Sequence, residues 1–294
     1  MKKISVIIPV YNNPHELRLT LDSIAGSRFP LAELEVLVCD DGSSVDMKAV
    51  AEEYQDRFTV RYFRQEDKGF RPGTARNMGI RAAGSQLCVF LDSGVILTSS
   101  CLEEHYRLYR EHGERLVIIG YIHGNDLTSD LEEMREIIDT HTPDEAAAIM
   151  TERHMLDGRE RDYAVCGDDL SRWPAPWIVL WSLHFSVPTA FMQENELYFD
   201  EFFCTWGCED NDFGIQASEK GARYVLARDA RAIHYPAKVR SYDRLHNDPD
   251  FRAGWLKNKE YLKNKWAEHS LVQLWLTEGG KAIKELPLLG EEDL

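Results

Sequence analysis

The sequence predicts an α/β fold: a mostly parallel central sheet flanked by helices, with a helical extension at the C-terminal end. Three observations predict it. Short β-branched runs alternate with amphipathic helical stretches through residues 1–121. Those runs are continuously apolar, as expected of strands buried on both faces. Polar residues gather just past the strand ends, where sheets of this kind bind ligands.

The elements follow in order. Ile4 to Val10 reads as a buried strand. Asn13-Pro14 then gives an N-cap followed by proline at the first helical position, and Leu17, Leu21 and Ile24 form the apolar stripe of the first helix. Glu35 to Cys39 is a second strand ending at Asp40-Asp41-Gly42-Ser43. A helix over about Val45 to Tyr54 and a strand over Val60 to Phe63 come next. Thr74 to Ala83 predicts a helix stopped by Gly84, and Leu87 to Leu91 the next buried strand. Ser100 and Glu103 have capping-box spacing and open a helix to about His112, and Leu116 to Tyr121 is a further strand. Between Asn125 and Gln193 the pattern loosens: Leu127 to Asp139 predicts a polar-faced helix and Asp157 to Arg172 a charged loop. The aromatic set Trp173, Trp177 and Trp181 suits either sugar stacking or core packing. Beyond Pro236 the chain is basic and aromatic, then helical, and it ends in the acidic run Glu291-Glu292-Asp293.

Composition narrows the function. With 294 residues, 44% of them hydrophobic, the chain has material for a large core. A net charge of −16 and a pI near 5.1 repel phosphate backbones and anionic lipid, so no nucleic-acid partner is expected. No apolar run reaches the roughly 20 residues of a membrane span. Met1-Lys2-Lys3 leads straight into a strand with no signal-peptide pattern. A cytoplasmic protein without a transmembrane segment is therefore expected. The six cysteines contain no CxxC pair; Cys39 and Cys88, inside apolar strand-like runs, predict buried free thiols, and Cys204 and Cys208, at i, i+4, are suited to metal binding or pairing.

Four segments carry chemistry. The sheet-end set Tyr11, Asn12, Asp40, Asp41 and Asp92 shares one edge. Gly73-Thr74-Ala75-Arg76-Asn77-Met78-Gly79 opens a helix whose free N–H groups and Arg76 fork suit a diphosphate, with Lys68 and Arg71 just upstream; Gly79 permits close packing on the sheet. Trp206-Gly207-Cys208-Glu209-Asp210 precedes another helix and puts two acids at its positive end. Ala232-Ile233-His234-Tyr235 ends a strand.

Pro9-Val10-Tyr11-Asn12 followed by Asp40-Asp41-Gly42-Ser43 resembles the entry of family-2 glycosyltransferases with the GT-A fold. Phe199-Asp200-Glu201 and Trp206-Gly207-Cys208-Glu209-Asp210 resemble the motif of β-1,4-galactosyltransferases and chondroitin polymerases. The resemblance spans about residues 3–240. It implies a nucleotide-sugar donor, most often a UDP-sugar, bound by Pro9, Tyr11, Asn12, Asp41, Arg76, Asp92 and Ser93, with Asp41 reading the base. It implies Asp210 as the base of an inverting transfer, Glu209 beside it on donor or acceptor hydroxyls, and Trp206 as an acceptor wall.

Phe90-Leu91-Asp92-Ser93-Gly94 stands in the place of the family's DxD motif but ends in Gly94, which has no side-chain ligand. Asp92 is left either to hold a divalent ion (Mn2+ or Mg2+) with His234 and phosphate oxygens, or to bond the donor sugar or ribose. Asp92-Ser93 also echoes the Asp-Ser-His variant of the retaining polypeptide N-acetylgalactosaminyltransferases.

The implied organisation is a transferase domain over 1–235, with a nucleotide-binding half (1–121) and an acceptor-binding half (122–235). A helical extension or lid over 236–294 includes the basic residues Lys238, Arg240, Arg244 and His246. A glycan, peptide or small-molecule acceptor is expected. Two rivals stand beside this reading. One is a sugar-nucleotide or glycan-binding homologue with an impaired DxD motif. The other is a nucleotidyltransferase, which would want a glycine-rich basic loop where Tyr11-Asn12-Asn13-Pro14 stands.

Overall fold

The computed structural model describes residues 2–124, 129–237 and 241–290. One mixed sheet holds eight strands: β1 (Ile4–Val10), β2 (Leu34–Asp40), β3 (Thr59–Arg64), β4 (Leu87–Leu91), β5 (Val95–Leu97), β6 (Leu116–His123), β7 (His184–Pro188) and β8 (Arg223–His234). Their order is β3-β2-β1-β4-β7-β6-β8-β5. The β3-β2-β1-β4 half is parallel throughout, as is the β6–β8 pair, whereas β7 runs antiparallel to both neighbours and β5 antiparallel to β8. The sheet is thus mostly parallel where the sequence pattern is clearest, and mixed beyond it.

β1 shows why. Its seven residues are all buried, with Ile7 facing one core and Ile4, Val6, Ile8 and Val10 the other. Pro9 has no N–H to give, but the β1–β4 ladder covers only Ile4 to Ile7, so none is missed there. On the first face lies α3 (Pro72–Ala82), and α1 (Pro14–Ala25), α2 (Met47–Glu52) and α4 (Cys101–His112) cover the second. A Cβ at Gly79 of α3 would come within 2.5 Å of Ile7, so the glycine permits the close helix-to-sheet approach expected of it.

Several local expectations change. Asn13 is the N-cap of α1, yet its side chain accepts from the Tyr11 N–H instead of capping the helix. Ser100 caps nothing because its backbone is already helical; the closed capping box is Thr142 with Glu145, at the start of α6 (Pro143–Glu152). α5 (Leu131–Thr140) begins on the Asp130 cap; its expected start at Leu127 lies outside the described residues. The 157–172 stretch is not a plain loop: it contains α7 (Glu160–Cys166), built around the buried Arg159–Asp157 pair at 2.8 Å. Trp173 and Trp177 are core residues, each 1% exposed, so packing rather than sugar stacking accounts for them. All six cysteines are free, five of them buried, and Cys204 and Cys208 are unpaired. No helix among the described residues is long and apolar enough to cross a membrane.

The chain continues through α8 (Thr189–Glu194), α9 (Glu209–Glu219), α10 (Ser241–Asn247), α11 (Pro249–Lys265), α12 (Ser270–Glu278) and α13 (Gly280–Lys284). Leu262, Val272 and Ile283 of the last three are fully buried in the same core as α3 and α9. Lys238, Arg240 and the acidic terminal run lie outside the described residues. Leu262→Ala is expected to lower the unfolding free energy by about 2–5 kcal/mol within a single urea transition. A separate early transition for the C-terminal helices would contradict a shared core.

Candidate active site

The residues that the sequence singles out meet along α3 and the strand ends around it. At the first end, Asp41 follows β2. Its Oδ2 accepts from the Arg71 backbone N–H at 2.6 Å and its Oδ1 from the Gln65 amide at 2.5 Å, and burial raises its pKa. Asp40 works inward: it accepts from the Ser43 N–H at 2.7 Å and from the Tyr62 hydroxyl, which fixes the turn. Asn12 has a structural task too. With φ at +54° its Oδ1 accepts from Ser44 N–H, Ser44 Oγ and Val45 N–H, tying the β1 and β2 loops together. Tyr11 is 48% exposed, with its hydroxyl on Asp67 at 3.1 Å. Pro9 is buried within β1. The loop bearing Gln65, Asp67 and Arg71 thus lies beside both Tyr11 and Asp41. Lys68 pairs with Glu66 at 3.0 Å.

Arg71 is the N-cap of α3, and five residues on, about 7.5 Å along the helix, stands Arg76. The salt bridge of Arg76 is not a surface one. The guanidinium is 2% exposed, lies 5.2 Å from the Phe199 ring centroid, and bonds Asp92 Oδ1 at 2.5 Å; its Nε and Nη1 have no protein partner. Its charge also reaches Glu209 and Asp210, and Asp92 in turn acts on Glu209 and His234. One buried cation therefore links the end of β4 to the start of α9.

Both acids at the start of α9 have raised pKa values. For Glu209 the cause is burial, then the neighbouring Asp210 charge, with Arg76 opposing. For Asp210 it is burial, offset by the backbone N–H of Asn211, which bonds its Oδ1 at 2.8 Å, and by Arg76. Glu209 Oε2 is buried without a partner. The turn before them is unusual: Gly207 has φ +95° and Cys208 φ +75°, a left-handed conformation rare for a residue with a side chain. Asn258 of α11 holds that turn by donating to the carbonyls of Thr205, Trp206 and Gly207 at 3.0, 3.4 and 2.8 Å. Trp206 is half-buried and stacks on Phe251 at 5.2 Å.

The two distant signatures are bonded directly. Asn77 donates to the Phe199 carbonyl at 2.8 Å and to Glu201 at 3.1 Å, and accepts from the Phe199 N–H at 2.9 Å. Asp200 accepts from Tyr261 and Lys265, and the fully buried Asp212 from Lys265 and Trp266. No local sequence pattern marks Asn258 or Lys265; their task exists only once α11 has docked.

The Asp92-Ser93-Gly94 turn is stitched to His234. Val95 pairs with His234 across β5–β8, and the Tyr235 N–H bonds the Gly94 carbonyl at 2.9 Å. Burial lowers the His234 pKa, with Asp92 opposing, so its ring is neutral and has a lone pair to offer. Ser93 Oγ is buried without a partner. Gly94 has φ +96°, and a Cβ there would sit 3.4 Å from the Glu16 side chain. The third DxD position is thus a left-handed turn against Glu16, a neighbour the sequence reading did not single out. Two cavities of about 270 Å³ lie elsewhere, one between α1, β5 and α6 and one beside α4 and β8, and no residue of this site lines them.

With this geometry in place, the comparisons are informative. Residues 5–204 match the model of glycosyl transferase family 2. The chain is 32% identical over 245 residues to a validoxylamine A glucosyltransferase of Streptomyces hygroscopicus subsp. jinggangensis, covering 83% of this chain and 56% of that protein. It is 26% identical to an Escherichia coli chondroitin synthase over 82% of this chain and 36% of that one. The chain thus spans about half or less of the length of these relatives. In fold it is similar to Staphylococcus aureus TarS 1–349 in complex with UDP-GlcNAc, with a TM-score of 0.59 at 20% identity over 95% of this chain and 72% of that one. It is also similar to the mannosyltransferase PcManGT of Pyrobaculum calidifontis in complex with GDP-Man and Mn2+, with a TM-score of 0.60 at 14% identity over 96% and 72%. The fold is of the GT-A type, and the chain belongs to glycosyl transferase family 2.

Gly94→Asp, which rebuilds the DxD pattern, is expected to cost about 1–3 kcal/mol of stability through the left-handed backbone without tightening manganese binding. An unchanged urea midpoint together with tighter binding of the ion would contradict this account of the turn.

Proposed function

We propose that this family 2 chain transfers a hexose or N-acetylhexosamine from a nucleotide-diphosphate sugar, in the first instance a UDP-sugar, to an acceptor hydroxyl with inversion at the anomeric carbon. The observation that carries the proposal is the convergence on Arg76 of Asp92 from the sheet edge and Glu209 and Asp210 from α9. The named activity of the glucosyltransferase relative and the UDP-GlcNAc of the TarS complex support the donor class. A glycan, a peptide or a small molecule serves as acceptor in this reading.

Each residue has a task. Asp41 accepts the hydrogen bond of the nucleobase N–H, with Tyr11 along the base and Pro9 and Asn12 fixing the loop. Ser93 offers its unpaired hydroxyl to ribose or phosphate. Arg76 bonds Asp92 and offsets the charge at the start of α9. Asp210, held by the Asn211 N–H, takes the acceptor proton as the acceptor oxygen bonds to the anomeric carbon. The bond from that carbon to the diphosphate breaks, and the nucleoside diphosphate leaves with the electron pair. Glu209, whose pKa burial and the neighbouring Asp210 charge push up, hydrogen-bonds a sugar hydroxyl beside the base, and Trp206 gives the acceptor an apolar wall.

A divalent ion, Mn2+ or Mg2+, fits as one shared with the donor. Asp92, with the carboxylate oxygen that Arg76 leaves unbonded, and His234, with a ring nitrogen, would hold it together with oxygens of the donor diphosphate. Such an ion would supply charge neutralisation on the departing diphosphate.

Asp210→Asn is expected to lower turnover by about 10²–10⁴-fold while UDP-sugar binding, measured by calorimetry, is retained. Because the pKa of Asp210 is raised, wild-type turnover should climb with pH through a limb centred above the ordinary aspartate value of 3.8. That limb should vanish in the variant, and wild-type-like turnover from Asp210→Asn would rule out its role as base. Asp92→Ala should weaken donor binding and abolish its manganese dependence; an unaltered manganese titration would overturn the ligand role.

A further inference from the structure

On the opposite side of the sheet from α3, polar groups meet inside an otherwise apolar core. Cys101 and His105 lie one turn apart on α4 and face the sheet, and His184 and Ser186 share a face of β7. All four are fully buried. Cys101 Sγ is 3.4 Å from His184 Nε2, His105 Nε2 is 2.9 Å from the same atom, and His105 Nδ1 is 2.8 Å from Ser186 Oγ. One ligand atom from each of Cys101, His105 and His184 lies within 4.8 Å of the other two. The fold makes room for this set: a Cβ at Gly120 would fall 2.1 Å from the His184 ring, and β6 changes register against β8 just there.

Hydrogen bonding alone does not satisfy the cluster. A neutral imidazole has one N–H and one lone pair. If His105 Nε2–H donates to His184 Nε2, that single lone pair cannot also take the Cys101 proton, while the other ring nitrogen of His184 has the Tyr121 backbone within reach. If His184 Nε2–H donates to His105, the thiol proton has no lone pair to meet. Either arrangement leaves the Cys101 thiol without an acceptor between the two rings.

We propose that Cys101 Sγ, His105 Nε2 and His184 Nε2 bind one zinc-class divalent ion that pins α4 to β7. Zinc bonds of about 2.0–2.3 Å in tetrahedral array put ligand atoms about 3.3–3.6 Å apart; the 3.4 Å contact meets this, the 2.9 Å contact reaches it by opening a few tenths of an ångström, the Cys101–His105 pair starts within 4.8 Å, and a water or small anion would be the fourth ligand. On binding, the thiol gives up its proton to solvent and both imidazoles stay neutral. His105 Nδ1–H then donates to Ser186 Oγ, the supporting bond that zinc-bound histidines make. This centre shares no residue with the Asp92–His234 pair.

Elemental analysis of the full chain, purified without metal-affinity resin and dialysed against a chelator, tests it. Zinc at roughly one per chain, retained in the control Cys204→Ser and lost in Cys101→Ser, is the expected result. Should Cys101→Ser fail to fold, the wild-type chain refolded with cobalt(II) decides, since thiolate ligation gives a near-ultraviolet charge-transfer band and intense visible bands. Substoichiometric metal with no such band overturns the proposal, and one copper per chain in place of zinc overturns the zinc-class assignment.

Discussion

A guanidinium cannot be 2% exposed and charged without anions beside it, because removing it from water costs several kcal/mol. Arg76 meets that constraint with Asp92 as its bonded partner and with Glu209 and Asp210 within reach of its charge. The acids depend on it equally. Burial drives Glu209 and Asp210 toward their protonated forms, and Arg76 opposes that rise at both. Removing the cation would therefore alter the protonation of the whole group rather than one contact. Because α3 starts where Asp41 bonds the Arg71 N–H, the same helix joins the two strand ends to the acids of α9.

The helices after β8 complete this arrangement mechanically. The turn bearing Gly207 and Cys208 has left-handed backbone at two successive residues, a conformation that persists only where its surroundings enforce it. Asn258 supplies that enforcement through three carbonyls, and Lys265 and Trp266 anchor Asp212 one turn further along α9. The 236–294 segment, expected as an extension or lid, thus contributes in α11 to the positioning of the candidate base. Its basic residues Lys238 and Arg240 lie outside the described residues, so the lid expectation rests on sequence alone.

Much of this was legible in the sequence because the first half is locally consistent. β1, β2, β4 and β6 are continuous apolar runs, and polar groups follow them directly, so strands and sheet-edge residues could be read together. What was missed depends on tertiary context. β7 carries His184 and Ser186, which break an apolar pattern that only the buried polar cluster explains. β5 has three residues, too few to show a period. Ser100 has capping spacing but helical backbone, and spacing cannot report that. The motif residues also divide: Arg76, Asp92, Glu209 and Asp210 converge, whereas Asn12 and Asp40 are used to hold the loops. Glu16 and Asn258 enter the site from helices whose sequence pattern reports burial, not chemistry.

The central claim is that a nucleotide sugar lies along α3 with its base at Asp41 and its anomeric carbon before Asp210. A crystal structure of the chain with a bound UDP-sugar analogue and Mn2+ tests it most directly. The account predicts the uracil against Asp41 and Tyr11, the diphosphate between Asp92 and His234, and the anomeric carbon open to Asp210. A nucleotide seated away from these three, or a sugar turned from α9, would contradict it.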